Sequence, residues 1–278
     1  MKVAIVILNW NGKKILEQFL PSVVEFSEEA TIYVADNAST DKSIPYLKEK
    51  FSKVTIIQNK TNGGYAKGYN DALKNVTEDL LVLLNNDVEV TQNWLQPIIN
   101  EFKRDNSLIA AQPKILDFNN KRYFEYAGAG GGFIDQLGYP YCRGRIFNTI
   151  EKDKGQYNDI KKIFWASGAC FIVRSNEFKE LNGFDENFFT HQEEIDLCWR
   201  IQLNGGIIKY SGNSTVYHSC AIFGLRPVAY STASKGSLPS ERLAITPLDC
   251  DSSAVTWWLK RKSTPALRIS SPRNWRMS

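Results

Sequence analysis

The chain has 278 residues, 43% of them hydrophobic and 23% charged, the profile of a globular protein long enough to bury a sizeable core. Its net charge of +4 is uneven: residues 219–278 carry 9 Lys+Arg against 3 Asp+Glu, so the first 218 residues are slightly acidic. A near-neutral folded part argues against a nucleic-acid-binding protein.

The elements follow in chain order. Lys2–Leu8 reads as a buried strand, and Ile15, Leu16, Phe19, Leu20, Val23 and Val24 follow at helical spacing. Thr31–Ala35 is a second strand, closed by the polar turn Asp36-Asn37-Ala38-Ser39-Thr40-Asp41. A short helix over Ile44–Phe51 and a third strand over Val54–Gln58 come next. Asn62-Gly63-Gly64 is a turn signal, and Tyr65–Asn75 reads as a helix. Leu80-Leu81-Val82-Leu83-Leu84 is an unbroken apolar run, as expected of a strand buried on both faces of a parallel sheet. A helix carries Trp94, Leu95, Ile98, Ile99 and Phe102. Repeated βαβ units predict an α/β fold with a mostly parallel central sheet flanked by helices.

The pattern changes after about Leu108. Residues 119–160, rich in Gly and aromatics, read as irregular hairpins and a mobile loop. Ile163–Arg174 reads as a strand pair broken at Ser167-Gly168, followed by a helix from Glu193 to about Leu203. Strands over Ile207–Tyr210 and Ser214–Tyr217 end at His218. Residues 219–278, with 11 Ser and 5 Pro, show no period and read as a disordered basic segment. Its Trp257-Trp258-Leu259-Lys260-Arg261-Lys262 patch is compatible with peripheral contact to a membrane surface or with packing on the domain, with disorder the leading reading.

Five cysteines without regular spacing suggest reduced thiols and a cytoplasmic address, and the lack of a C-x-x-C pair argues against structural zinc. Val3–Leu8 is too short for a signal peptide, and no run approaches the roughly 18 apolar residues of a membrane helix.

Candidate chemistry gathers at strand ends, where open α/β sheets bind ligands. Asp87 follows the Leu80 strand, where a carboxylate shares Mg²⁺ or Mn²⁺ with substrate phosphates; Asn85-Asn86-Asp87 read as a plain turn would instead cap the next helix. Asp36 suits a ribose hydroxyl or base N–H, or a turn cap. Asn62, Gly63 and Lys67 could approach phosphate, although neither a Walker loop nor G-x-G-x-x-G is present. Thr190 and Glu193 have capping-box spacing, and Asp196 and Arg200 are four apart on one helix. Glu194 has no such structural duty and suits a general base held ionised by the helix dipole. His218 ends a strand and could complete a metal site with Asp87.

Ile7-Leu8-Asn9-Trp10-Asn11, Asp36 to Asp41, Asn62 to Asn70 and Leu83 to Asp87 occur in an order that resembles the family 2 glycosyltransferases of GT-A fold. Gly168-Ala169, Gly183 to Phe189, Glu193 to Arg200 and Val216-Tyr217-His218 complete the series, and the rhamnosyltransferase-like branch is the nearest match. The resemblance covers residues 1–218. It implies a nucleotide-sugar half over about 1–110 and an acceptor half over about 111–218.

It also implies an inverting transfer from a nucleoside-diphosphate sugar to a hydroxyl of a glycan or lipid-linked acceptor at the inner face of the cytoplasmic membrane. Asn9, Asn11, Asp36, Asn62, Gly63, Lys67, Asn86 and Asp87 fall on the donor side. Trp165, Gly168 and Ala169 fall on the acceptor side. Asp87 and His218 would hold Mn²⁺ or Mg²⁺, and Glu193, Glu194 or Asp196 would be the base, with Glu194 at the family's usual position. The sequence departs from the family's pattern after His218, as a replaced C-terminus would. A sugar-nucleotide-binding protein without catalysis is the alternative. A dehydrogenase is disfavoured because Asn9-Trp10-Asn11-Gly12 stands where its glycine fingerprint would be.

Overall fold

The computed structural model describes residues 1–146, 149–189 and 191–219. The Ser- and Pro-rich segment, including the Trp257 patch, lies outside them apart from Ser219. Element order is β1 (Val3–Asn9), α1 (Lys13–Glu25), β2 (Ala30–Asp36), α2 (Ser43–Lys50), β3 (Thr55–Gln58), α3 (Gly64–Ala72), β4 (Leu80–Asn85), β5 (Val88–Val90) and α4 (Leu95–Arg104). There follow β6 (Leu108–Asp117), β7 (Gly132–Ile134), β8 (Pro140–Cys142), β9 (Arg145–Ile146), β10 (Thr149–Ile150), β11 (Ile160–Lys162), β12 (Cys170–Arg174), α5 (Ser175–Glu180), α6 (Glu193–Leu203) and β13 (Ile207–His218).

One sheet of nine strands runs β11-β13-β6-β12-β4-β1-β2-β3, with β5 paired to β13. The β1, β2, β3 and β4 neighbours pair in parallel, as do β6 and β13, while β12 lies antiparallel between β4 and β6. Side chains of a strand alternate between faces, so each central strand feeds two cores. Val3, Ile5, Ile7, Leu80, Val82 and Leu84 face Leu16, Leu20 and Val23 of α1 and Leu95, Ile98 and Phe102 of α4. Ala4, Val6, Leu81 and Leu83 face Tyr69 and Ala72 of α3 and Leu197 and Ile201 of α6. This double burial is what the Leu80–Leu84 run anticipates: all five residues are fully buried.

The structure refines the reading after β4. The Asn85-Asn86-Asp87 turn leads into the strand β5, not into a helix cap. The segment after Leu108 is a ten-residue strand, buried along nearly its whole length. Strands β7, β8, β9 and β10 form a second, four-stranded antiparallel sheet in the order β10-β9-β8-β7, which gives the expected hairpins a regular pairing. Ile207–His218 is one strand, with register shifts against β6 between Ser211 and Thr215, so the expected pair of short strands is a single strand with an irregularity. Between β11 and β12, residues 163–169 carry no strand, only a bridge from Trp165 to Gly132.

Candidate active site

The carboxyl ends of β1, β2 and β4 lie side by side, because Asn9 pairs with Asp36 and Leu8 with Asn85 in register. Polar side chains at these ends are buried and tied to one another. Asn86 Nδ2 donates to Asn9 Oδ1 at 3.1 Å, and Asn9 Nδ2 lies 3.5 Å from Asp36 Oδ1 and 3.4 Å from Ser39 Oγ. Asp36 Oδ2 accepts the Ser39 N–H at 2.9 Å, so it also closes its own turn. Asn11, in the left-handed region at φ 49°, accepts the N–H groups of Thr40 and Asp41 on Oδ1 at 2.7 and 3.2 Å. Gly12 permits this closeness: a Cβ there would stand 2.3 Å from Asn9 Oδ1.

A second network links β2 to α3. Asn37 Nδ2 donates to Asn62 Oδ1 at 2.8 Å and to the Gly64 carbonyl at 3.0 Å, and Asn37 Oδ1 accepts from Asn59 Nδ2 at 3.0 Å. Asn62 Oδ1 also accepts the Gly64 N–H at 3.0 Å, with Gly63 as the residue before α3. Lys67 departs from its expected phosphate role. It points along α3 to Asp71 at 2.9 Å and to Glu186 at 3.6 Å, where two carboxylates already occupy its charge.

The opposite rim is built by α6. Its first residues reach the strand ends through Gly168: the Tyr65 hydroxyl donates to the Gly168 carbonyl at 2.8 Å, and a Cβ on Gly168 would lie 3.9 Å from the Glu194 carboxyl carbon. The Ala169 carbonyl in turn accepts the Asn85 N–H at 3.0 Å. The loop before α6 is fastened to α3. The Asn70 side-chain amide exchanges hydrogen bonds with the Phe184 backbone at 2.8 and 3.0 Å, and the Phe189 carbonyl accepts the Tyr65 N–H at 2.9 Å. Gly64, at φ 76°, leaves room for that carbonyl, which a Cβ would meet at 2.3 Å.

Glu193 is buried and Glu194 keeps part of its surface in solvent, yet Oε2 of each is shielded and without a hydrogen-bond partner. Burial pushes both carboxyls up, Glu194 to about 7 and Glu193 to about 8, where the neighbouring Glu194 charge adds to the effect. The expected influence of the helix dipole is therefore outweighed by desolvation. The residue preceding α6 is Gln192, at φ 75° and without a side-chain cap, so the capping role expected of Glu193 is not what holds it; Thr190 lies outside the described residues. Asp196 is engaged by Arg200 at 2.8 Å, which removes it as a free base. Trp165 likewise departs from its expected acceptor-side place. Its indole is buried against Gly132 and donates to the Phe133 carbonyl at 2.8 Å.

Asp87 and His218 meet at the end of β13. His218 pairs with Val88 and Asp117, and the Asp87 carbonyl accepts the Ser219 N–H at 3.0 Å. His218 Nε2 lies 3.2 Å from Asp87 Oδ1 and 3.4 Å from Asn85 Nδ2. On its other side Nδ1 lies 3.4 Å from Oε1 of Glu125, a residue that no sequence motif singles out. Burial disfavours the imidazolium, but the facing carboxylates of Asp87 and Glu125 outweigh it and hold the pKa up at about 10, so a cation taken up at Nε2 would displace a proton.

Asp87 Oδ1, His218 Nδ1 and Glu125 Oε1 are buried yet lack an aligned hydrogen bond. His218 Nδ1 and Glu125 Oε1 face each other, whereas the orphaned Asp87 oxygen fits a cation shared with phosphate oxygens. Among the described residues there is no cluster of three or more His, Cys, Asp or Glu with metal-ligand geometry, so Asp87 and His218 would leave further positions to the diphosphate and water.

Comparison with known proteins agrees with this geometry. Residues 4–181 match the family described as Glycosyl transferase family 2. N-acetylglucosaminyl-diphospho-decaprenol L-rhamnosyltransferase of Mycobacterium tuberculosis H37Rv is 25% identical over 219 residues, 73% of this chain and 71% of that protein. Rhamnosyltransferase WbbL of Escherichia coli K12 is 23% identical over 217 residues, covering 75% and 80%. The crystal structure of GalNAc-T7 with UDP, GalNAc and Mn²⁺ superposes at TM-score 0.62 and 19% identity, over 79% of this chain and 44% of that one, which shows a shared fold.

Proposed function

The chain belongs to glycosyl transferase family 2, and we propose that it moves a sugar from a nucleoside diphosphate to an acceptor hydroxyl with inversion at the anomeric carbon. The observation that carries this reading is that two sets of incompletely bonded groups, one buried and one partly shielded, stand at the strand ends. The Asp87–His218 corner lies beyond β4 on one side, and the half-shielded Glu194 carboxylate stands beside Gly168 on the other.

The donor nucleotide lies along the Asn9, Asn11, Asp36 and Asn62 rim, with Asp36 toward the ribose or base. Asn86 and Asp87 face the diphosphate. Asp87 and His218 would hold Mn²⁺ or Mg²⁺ there, and that ion supplies stabilisation of the charge on the departing diphosphate. Glu194 takes the acceptor proton as the hydroxyl oxygen attacks from the face opposite the leaving group. A carboxylate whose pKa lies near neutrality is well matched to that task, and general-base assistance contributes about 10²–10⁴-fold. Desolvation is what raises the basicity of Glu194, and the Glu194 charge in turn pushes the Glu193 carboxyl higher still.

The acceptor we favour is a lipid-linked glycan, since the M. tuberculosis relative is named for transfer to a diphospho-decaprenol. A soluble chain acting at the cytoplasmic face of a membrane suits such an acceptor, and no helix among the described residues is long and apolar enough to cross one. The test is a transfer assay with UDP- and dTDP-sugars in which the anomeric configuration of the product is read by NMR. Inversion, lost in Glu194→Gln, supports the reading. A product of retained configuration would overturn the single displacement, and nucleotide binding with no transfer would leave a sugar-nucleotide-binding protein.

A further inference from the structure

Glu125 has no part in the chemistry described above, yet its placement is costly. Its side chain is fully shielded from solvent, and burying a carboxylate is expensive unless it is paired. One oxygen, Oε2, accepts the Ala127 N–H at 2.5 Å. The other, Oε1, has no hydrogen bond and faces His218 Nδ1 at 3.4 Å. The backbones of both partners are fixed to the same strand. The Glu125 N–H donates to the Ile115 carbonyl at 3.1 Å, and Phe118, the residue after β6, donates its N–H to the His218 carbonyl at 3.0 Å. Strand β6 thus sets the distance between the carboxylate and the ring.

The two nitrogens of an imidazole are distinct, and the partner of one decides what the other presents. We infer that Glu125 is a positioning residue: it accepts a hydrogen bond from His218 Nδ1–H, and so turns Nε2 toward Asp87 and the donor diphosphate. The inference rests on the reading of Asp87 and His218 as the metal–diphosphate corner. A carboxylate behind a metal-binding histidine fixes the ring's orientation and tautomer, and loss of such a partner typically costs about 10–100-fold in metal affinity.

Two readouts on the intact chain test it. The first needs no metal. The chain has two histidines, so His191→Gln leaves His218 as the one source of ring ¹⁵N signals. The expected spectrum shows a proton on His218 Nδ1, in slow exchange in the parent chain and in fast exchange in Glu125→Ala. A ring with Nδ1 unprotonated in the parent chain overturns the inference. The second readout is the affinity for Mn²⁺ with UDP, expected to fall about 10–100-fold in Glu125→Ala and less in Glu125→Gln, whose amide oxygen still accepts. Unchanged affinity in a folded Glu125→Ala, beside loss in Asp87→Ala, also overturns it. If Glu125→Ala does not fold, the parent ring spectrum and Glu125→Gln decide. If the parent chain does not bind Mn²⁺ with UDP while the Nδ1 proton behaves as expected, the metal reading fails and the placement of the ring stands.

Discussion

The two sides of the strand ends are polar in opposite ways. On the β1–β2–α3 side, Asn9 bonds Asp36 and Asn86, Asn37 bonds Asn62, and Asn11 holds the Thr40–Asp41 turn. On the α6 and β13 side, Glu193, Glu194, Asp87, Glu125 and His218 each keep a buried atom with no aligned partner. Satisfied networks rigidify, whereas unsatisfied buried groups cost stability and are retained where a ligand completes them. On the proposed function, the first rim is a template that fixes shape, and the second holds the groups assigned to the chemistry.

Substitution should separate the rims. The largest effect is expected from Glu194→Gln, which removes the base while keeping the side chain's shape. Its kcat should fall about 10²–10⁴-fold with nucleotide affinity unchanged, as read by steady-state kinetics and titration. A loss of nucleotide affinity with kcat intact would mean that Glu194 belongs to the donor rim. Asn37→Ala on the template side should act on stability, because it strands the partners of Asn59, Asn62 and Gly64. Chemical denaturation should show a loss of about 1–3 kcal/mol.

The buried pair at the start of α6 also makes the molecule pH-dependent in a stated direction. Both carboxyls sit above their ordinary value of 4.5, so the folded chain binds more protons than the unfolded chain between there and about 8. The contribution of this pair to stability is therefore full below about pH 4.5 and is lost as pH rises through about 7–8. Activity should rise over that same upper range as Glu194 loses its proton. In Glu194→Gln the melting temperature should fall less steeply with pH; an unchanged slope would place the titrating groups elsewhere. The smallest effect is expected from Lys67→Ala. Its ammonium is exposed and already paired, so nucleotide affinity should change by less than about 3-fold.

How much of this was legible in the sequence follows the same division. The template rim lies at the ends of strands whose apolar runs, such as Leu80–Leu84, show their burial directly, so Asp36 could be placed from the strand pattern, while Asn9 and Asn86 entered through the family resemblance. Strand β6 could not, because Gln112, Pro113 and Lys114 interrupt it. The fold neutralises each of them. Gln112 bonds the Gly128 carbonyl and the Ser167 N–H, Lys114 pairs with Asp153 at 2.9 Å, and Pro113 stands where β13 shifts register. Glu125 was invisible for a related reason. It sits in a Gly- and aromatic-rich stretch with no periodicity, and its significance depends on a contact with His218 that only β6 brings about. Glu194 was found by eliminating its neighbours, but its protonation was misjudged, since desolvation depends on packing that the sequence does not display.

The central claim is that Asp87 and His218 form a corner for metal and diphosphate. Calorimetric titration of the chain with UDP, dTDP and GDP, each with Mn²⁺ and again with EDTA, tests it most directly. Binding of one nucleotide that needs Mn²⁺ and disappears in Asp87→Ala is the result expected. Nucleotide binding that is equally tight in EDTA and in Asp87→Ala would contradict it.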